Sequence, residues 1–61
     1  MDTKDIEAFV GKNVKIYLMG SARLSGLIEG VVDGVVTIME RDGRFKLDVK
    51  SIAAIGEFEG L

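Results

Sequence analysis

The 61-residue sequence contains no Cys, His, Pro or Trp. Without Cys no disulfide can form, and without Cys and His a zinc site lacks its usual ligands. We therefore expect no metal and no other cofactor. A domain of this size buries about 60% of its unfolded surface and generally relies on disulfides, a metal or oligomerisation for stability. Of these supports, the composition leaves oligomerisation.

Catalytic chemistry also has few residues to draw on. Without His and Cys, general acid–base work would fall to carboxylates, Lys or Tyr. Gly26 and Gly30 do not form a phosphate-binding loop, because no Lys-Ser/Thr follows them and they lie in a predicted strand. We predict that the chain is not an enzyme.

An overall excess of positive charge, typical of nucleic-acid-binding domains, is missing as well. The chain has 8 basic and 10 acidic residues, a net charge of −2 and a pI near 4.9. No apolar run approaches the ~20 residues of a membrane helix, so we expect a cytoplasmic protein with no membrane partner. Hydrophobic residues make up 48% of the chain, which indicates that some apolar area lies at a subunit interface.

The central segment, Arg23–Met39, is apolar and rich in β-branched residues, which favour strands. Asp33-Gly34 interrupts this segment with a pair typical of a hairpin turn. Gly26 and Gly30 stand inside the first of the two strands, where glycine usually marks a sharp bend or a close backbone approach. The segment therefore predicts a long, strongly bent strand, a tight turn and a straight returning strand.

The flanking segments complete a small all-β domain with a short N-terminal helix. Ile6, Phe9 and Val10 are spaced like one face of a helix, and alternating apolar residues indicate the remaining strands. Five short strands joined by tight turns predict a single domain over residues 1–61, with the helix at 2–10 and a partly open barrel at 13–58. The predicted elements are the helix Asp2–Val10 and the strands Asn13–Met19, Arg23–Val32, Val35–Arg41, Arg44–Val49 and Ile52–Gly56.

The order of these elements resembles that of the Sm-like family, which includes Hfq, the archaeal Sm-like proteins and the Lsm proteins. The best segment is residues 14–30, VKIYLMGSARLSGLIEG, which is similar to the first family motif. The resemblance implies a five-stranded, strongly bent, SH3-like open barrel that assembles into a closed homo-oligomeric ring. The residues that carry it are Val14, Ile16, Leu18, Leu24, Gly26 and Ile28 in the first motif, Tyr17 and Glu29 in its Hfq version, and Leu47, Ile52 and Ile55 in the second motif.

In this family RNA bases bind in a pocket between two turns, one after the second strand and one between the fourth and fifth strands. By position, the pore-pocket candidates of this chain are Asp33, Val36 or Thr37, Asp48 and Lys50. They depart from the family pattern, because the Asn and the Arg-Gly or Lys-His pairs are missing and no aromatic matches the stacking position. We therefore favour the plainer interpretation, in which Asp33 is a hairpin residue and Asp48 and Lys50 are solvated.

A second RNA candidate is the outward face of the first two strands. In Hfq the matching face binds purine-rich RNA, so the resemblance implies a single-stranded RNA site here. We call this surface the strand face, with the candidate residues Lys15, Tyr17, Arg23 and Ser25. Tyr17 could instead cover the apolar edge of a neighbouring subunit, a common use of amphipathic aromatics.

The third candidate is a subunit interface. In Sm-like rings the fourth strand of one subunit pairs with the fifth strand of the next, and an unpaired strand edge is otherwise a liability. The alternative is an ordinary edge guarded by Lys46 and Lys50. The candidate interface residues are Phe45, Leu47, Val49, Ala53, Ile55 and Phe58.

These expectations lead to one favoured function and two alternatives. The favoured function is a homo-oligomeric ring with an RNA-binding or RNA-chaperone-like role. The first alternative is a ring-forming assembly or protein-interaction module that has lost the RNA pocket. The second is another small SH3-like barrel that acts as a monomeric adaptor.

Overall fold

The computed structural model describes residues 2–58, which form one short helix and five strands. A single 3-10 turn at Val49–Ser51 separates the last two strands. The elements are α1 (Thr3–Glu7), β1 (Asn13–Leu18), β2 (Arg23–Val32), β3 (Val35–Glu40), β4 (Gly43–Asp48) and β5 (Ile52–Glu57).

The strands form one antiparallel open sheet in the order β4-β3-β2-β1-β5. Consecutive strands from β1 to β4 are neighbours, and β5 returns to pair with the other side of β1. Strands β4 and β5 are therefore the two edges of the sheet. In the described part of the chain, no helix is long and apolar enough to cross a membrane.

The ten-residue β2 strand pairs with a different neighbour in each of its halves. Its first half pairs with β1 from Arg23 to Leu27, and its second half pairs with β3 from Leu27 to Val32. The register shifts between Ile28 and Gly30, which leaves Glu29 as the extra residue of a bulge. The predicted change of register near Gly30 is confirmed.

At Gly26 the β2 backbone packs tightly against β3. A Cβ at Gly26 would lie 2.6 Å from the carbonyl oxygen of Met39 and 2.8 Å from Cγ2 of Ile38. Such distances are too short for any real Cβ, so the bend requires a residue without a side chain. At Gly30, in contrast, a Cβ would meet nothing within 4 Å.

The core lies inside the curl of the sheet and is entirely aliphatic in the described residues. Because side chains alternate along a strand, one face of each strand supplies the core. Leu24, predicted to point inward, is half-buried and packs against this cluster. The buried residues are Ile6, Val14, Ile16, Ile28, Val36, Ile38, Val49 and Ile52.

The predicted helix over Asp2–Val10 is too long, since α1 ends at Glu7. The backbone N–H groups of Phe9 and Val10 donate to carbonyls three residues back, which indicates turns rather than a continued helix. The Gly11 N–H then donates to the Ile28 carbonyl at 2.8 Å, tying the segment to β2. Tertiary contacts therefore end this helix before its apolar pattern does.

The predicted fourth strand is displaced by one residue, and its last member is assigned wrongly. Val49 begins the 3-10 turn and is 6% exposed, so it belongs to the core rather than to the edge strand. Its N–H donates to the Gly34 carbonyl at 2.9 Å, which turns the chain inward at that point. The predicted ends of the other strands agree with the structure to within one residue.

Replacing Gly26 with Ala tests the close approach directly. We expect Gly26→Ala to lower the free energy of unfolding by about 1–3 kcal/mol, because the methyl group overpacks against the β3 backbone. Urea denaturation at a fixed protomer concentration measures this change. Gly30→Ala is the matched control in the same strand and should leave the stability within about 1 kcal/mol of wild type. Equal effects of the two substitutions would contradict this role of Gly26.

Candidate functional site

The four strand-face candidates lie together as two neighbouring cross-strand pairs. Lys15 stands opposite Ser25, and Tyr17 stands opposite Arg23. Since their neighbours Val14 and Ile16 are fully buried, these side chains lie on the solvent side of the sheet. The Tyr17 side chain is 42% exposed, so its ring is available to a ligand.

On its other side, this face continues across β5 to a residue that the sequence prediction had placed elsewhere. Tyr17 stands opposite Ala54 and Lys15 opposite Gly56, and the Phe58 N–H donates to the Asn13 carbonyl at 2.8 Å. The Lys15 Nζ atom lies 5.2 Å from the centre of the Phe58 ring. Phe58 thus lies beside the strand-face candidates. The period-two spacing from Ala54 was the sequence signal for this position.

The charges on this part of the sheet are locally basic although the whole chain is acidic. Lys15 and Arg23 are its charged groups on β1 and the first half of β2. Lys12 pairs with Glu57 at 3.7 Å, with both side chains about half exposed. Such exposed pairs add little stability. The strand face therefore offers two cations that can meet an anionic group.

A separate ion pair crosses the outer side of the bulge. The Arg44 Nε atom donates to the Glu29 Oε1 atom at 2.7 Å. This hydrogen bond and the negative charge of Glu29 raise the pKa of Arg44 above its ordinary value. The carboxylate of Glu29, the bulge residue of β2, is therefore already paired with a cation.

The two turns of the predicted pore pocket do come together in the structure. Asp33 and Gly34 have φ angles of 52° and 76°, as a tight hairpin turn requires. The bond from the Val49 N–H to the Gly34 carbonyl holds this turn beside the 3-10 turn that begins after Asp48. The two turns that carry the pore-pocket candidates are therefore adjacent in the fold.

Two side chains of the predicted pore pocket, those of Val36 and Asp48, are already engaged within the fold. Val36 is fully buried in the core, so Thr37 is the one of these two alternatives that reaches solvent. The Asp48 carboxylate accepts from the Lys50 N–H at 2.9 Å and caps the 3-10 turn. Among residues 2–58 no enclosed pocket is found and no group of three acidic side chains could hold a metal ion.

Residues 4–58 match the model of a protein family described as a domain of unknown function, DUF6897. The chain belongs to the DUF6897 family. The match extends from α1 to the residue after β5, and so includes every candidate residue considered above. No solved structure matches the chain.

In this DUF6897 domain the interface candidates fall into two groups. Phe45 stands opposite the buried Ile38, on the core side of β4, yet it is 47% exposed because no strand covers that edge. Leu47 and Ile55 are half-buried against the core, and Ala53 is exposed at the bulge between β1 and β5. These four residues lie on the open edges. Val49 lies in the core, and Phe58 follows β5 directly with its side chain exposed on the side of the strand face.

Proposed function

We propose that this DUF6897 protein is an Sm-like barrel that assembles into a closed homo-oligomeric ring and binds single-stranded RNA on its strand face. The proposal assigns it a binding role rather than catalysis. It also places the protein in the cytoplasm, in keeping with a sequence that has no Cys.

The observation that carries the ring is the pair of open edges, β4 and β5. Each strand is paired on one side within the chain, so each has a row of backbone groups free to pair with another copy. The exposed Phe45 ring lies on the core side of the β4 edge, where a neighbouring β5 would cover it. Pairing of two different edges is head-to-tail, and such an interface forms a ring when its rotation closes.

The strand face supports the RNA part of the proposal. Single-stranded RNA is bound through stacking of its bases on aromatic rings and through cations that meet its phosphates. Tyr17 supplies an exposed ring, and Lys15 and Arg23 supply two cations on the same side of the sheet. A local basic face of this kind does not require the whole chain to be basic.

The second candidate function is a ring-forming protein-interaction module without RNA. It is favoured by the state of the pore-pocket candidates. Val36 is buried and Asp48 caps a turn, and the carboxylates of Asp33 and Asp48 would repel phosphate. Both candidate functions include the ring, but only the first includes RNA binding on the strand face. RNA titration therefore distinguishes between them.

The molar mass in solution tests the ring. Light scattering at micromolar concentration should give a multiple of the 6.6 kDa chain mass. Phe45→Asp should shift the mass toward the monomer, because it places a charge in the apolar part of the edge contact. Val10→Asp is the control, since Val10 is 42% exposed but lies outside the sheet edges. A wild-type protein that remains a stable monomer would contradict the proposed ring.

Substitution of Tyr17 tests the RNA site. Tyr17→Ala should weaken binding of A-rich single-stranded RNA by roughly tenfold, the loss expected for one stacked base. Fluorescence anisotropy at low salt, where phosphate contacts are strongest, gives the affinity. Val10→Ala is the control. Equal binding by wild type and Tyr17→Ala would move the site away from this face, and failure of wild type to bind any RNA would favour the interaction module.

A further inference from the structure

Phe58 is held in place on the sheet although it lies beyond the end of β5. Its N–H donates to the Asn13 carbonyl at 2.8 Å, which extends the ladder between β1 and β5 by one step. Its ring is 43% exposed, almost the same fraction as that of Tyr17. A large aromatic ring is thus fixed at the surface by backbone pairing and left open to solvent.

Tyr17 and Phe58 stand on the same side of the sheet. Ala54 and Gly56 lie opposite Tyr17 and Lys15, and Phe58 is the next residue of this alternate series. Because Ala54 and Gly56 have little or no side chain, the surface between the two rings is low along β5. We call the open surface between these two rings, along Ala54 and Gly56, the trough; it is not an enclosed pocket.

The trough also has the charge that a nucleic acid needs. Lys15 lies between the two rings in register, and its Nζ atom rests 5.2 Å from the centre of the Phe58 ring. No acidic side chain stands on this side of β1 or β5 among the described residues, because Glu57 falls on the opposite parity and pairs with Lys12. A phosphate in the trough would therefore meet a cation and no carboxylate of these strands.

The two aromatic residues stand at well-separated backbone positions. The Phe58 N–H is bonded to Asn13, four residues along β1 from Tyr17, which corresponds to about 13 Å of strand at ~3.3 Å per residue. A base can stack on such a side-chain ring only when it is unpaired and splayed out, which a single strand allows and a duplex does not.

We propose that Phe58 is a second base-stacking residue of the strand face and that Lys15 binds the phosphate backbone between the two stacked bases. This inference rests on the RNA-binding function proposed above, and it adds a residue that the sequence assigned to the subunit interface. In the free protein the Lys15 ammonium lies over the Phe58 ring, a cation–π contact that keeps the side chain at the trough.

A tryptophan at position 58 gives a direct test, because the chain has no Trp of its own. In Phe58→Trp, the fluorescence of this single Trp should be quenched when A-rich single-stranded RNA is added, as a base stacks on the indole. Phe58→Ala should weaken binding by roughly tenfold, whereas Phe58→Tyr should bind like wild type. Lys15→Gln should reduce the slope of log K against log salt by about 0.7, as expected for one lost phosphate contact on a single strand.

The outcomes separate this inference from the function on which it rests. If Tyr17→Ala weakens binding while Phe58→Ala binds like wild type and Phe58→Trp is not quenched, RNA binding stands and the second stacking position is wrong. If Phe58→Ala lowers the molar mass of the assembly in light scattering, Phe58 is an interface residue and the inference fails. If wild type binds no RNA at low salt, the proposed function itself fails.

Discussion

The tight packing of β2 against β3 at Gly26 determines how the sheet can curl. A side chain there would overlap the Met39 carbonyl, so the sheet can curl at this point because the residue is glycine. The bulge at Glu29 then shifts the register and lets the second half of β2 follow β3. One strand can therefore pair with β1 and β3 in turn and close the sheet around an aliphatic core. The curl ends before β4 meets β5, which leaves both strands as edges.

The sequence predicts this part of the fold well, because the signals are local. Asp33-Gly34 sets the hairpin, the β-branched runs set the strands on both sides, and the bounds of β2 agree with the structure. The errors occur where tertiary contacts decide. The hydrogen bond from the Gly11 N–H to the Ile28 carbonyl ends the helical segment early. The hydrogen bond from the Val49 N–H to the Gly34 carbonyl directs Val49, which the sequence predicts as a strand residue, into the core.

The candidate site residues also divide into those whose positions follow from local sequence signals and those whose positions depend on tertiary contacts. The grouping of Lys15, Tyr17, Arg23 and Ser25 on one face could be predicted because alternation within a strand and pairing of neighbouring strands bring them together. Phe58, which the sequence assigned to the subunit interface, lies beside them because β5 returns to pair with β1, a pairing between strands distant in sequence. Burial of Val36 and the capping role of Asp48 depend on the folded chain, so position in a motif alone could not reveal them.

The proposed assembly and the proposed ligand site use different parts of the sheet. The edges β4 and β5 would join copies through backbone pairing, while the solvent side of β1 remains free between them. A ring would then present one strand face per subunit, and several weak contacts along one RNA strand would reinforce each other. The basic residues of the strand face can bind phosphate although the chain is acidic overall. Salt screens the repulsion from acidic groups that lie more than about 10 Å away.

Hydrogen exchange of the edge-strand amides at several protein concentrations tests the central claim, that the free edges of β4 and β5 pair between copies. We expect the amides of Gly43–Asp48 and Ile52–Glu57 that point away from β3 and β1 to be protected at high concentration and to lose protection together on dilution, while the amides bonded within the chain change little. Edge amides that exchange at the same rate at every concentration, in a protein that stays folded throughout, would contradict it.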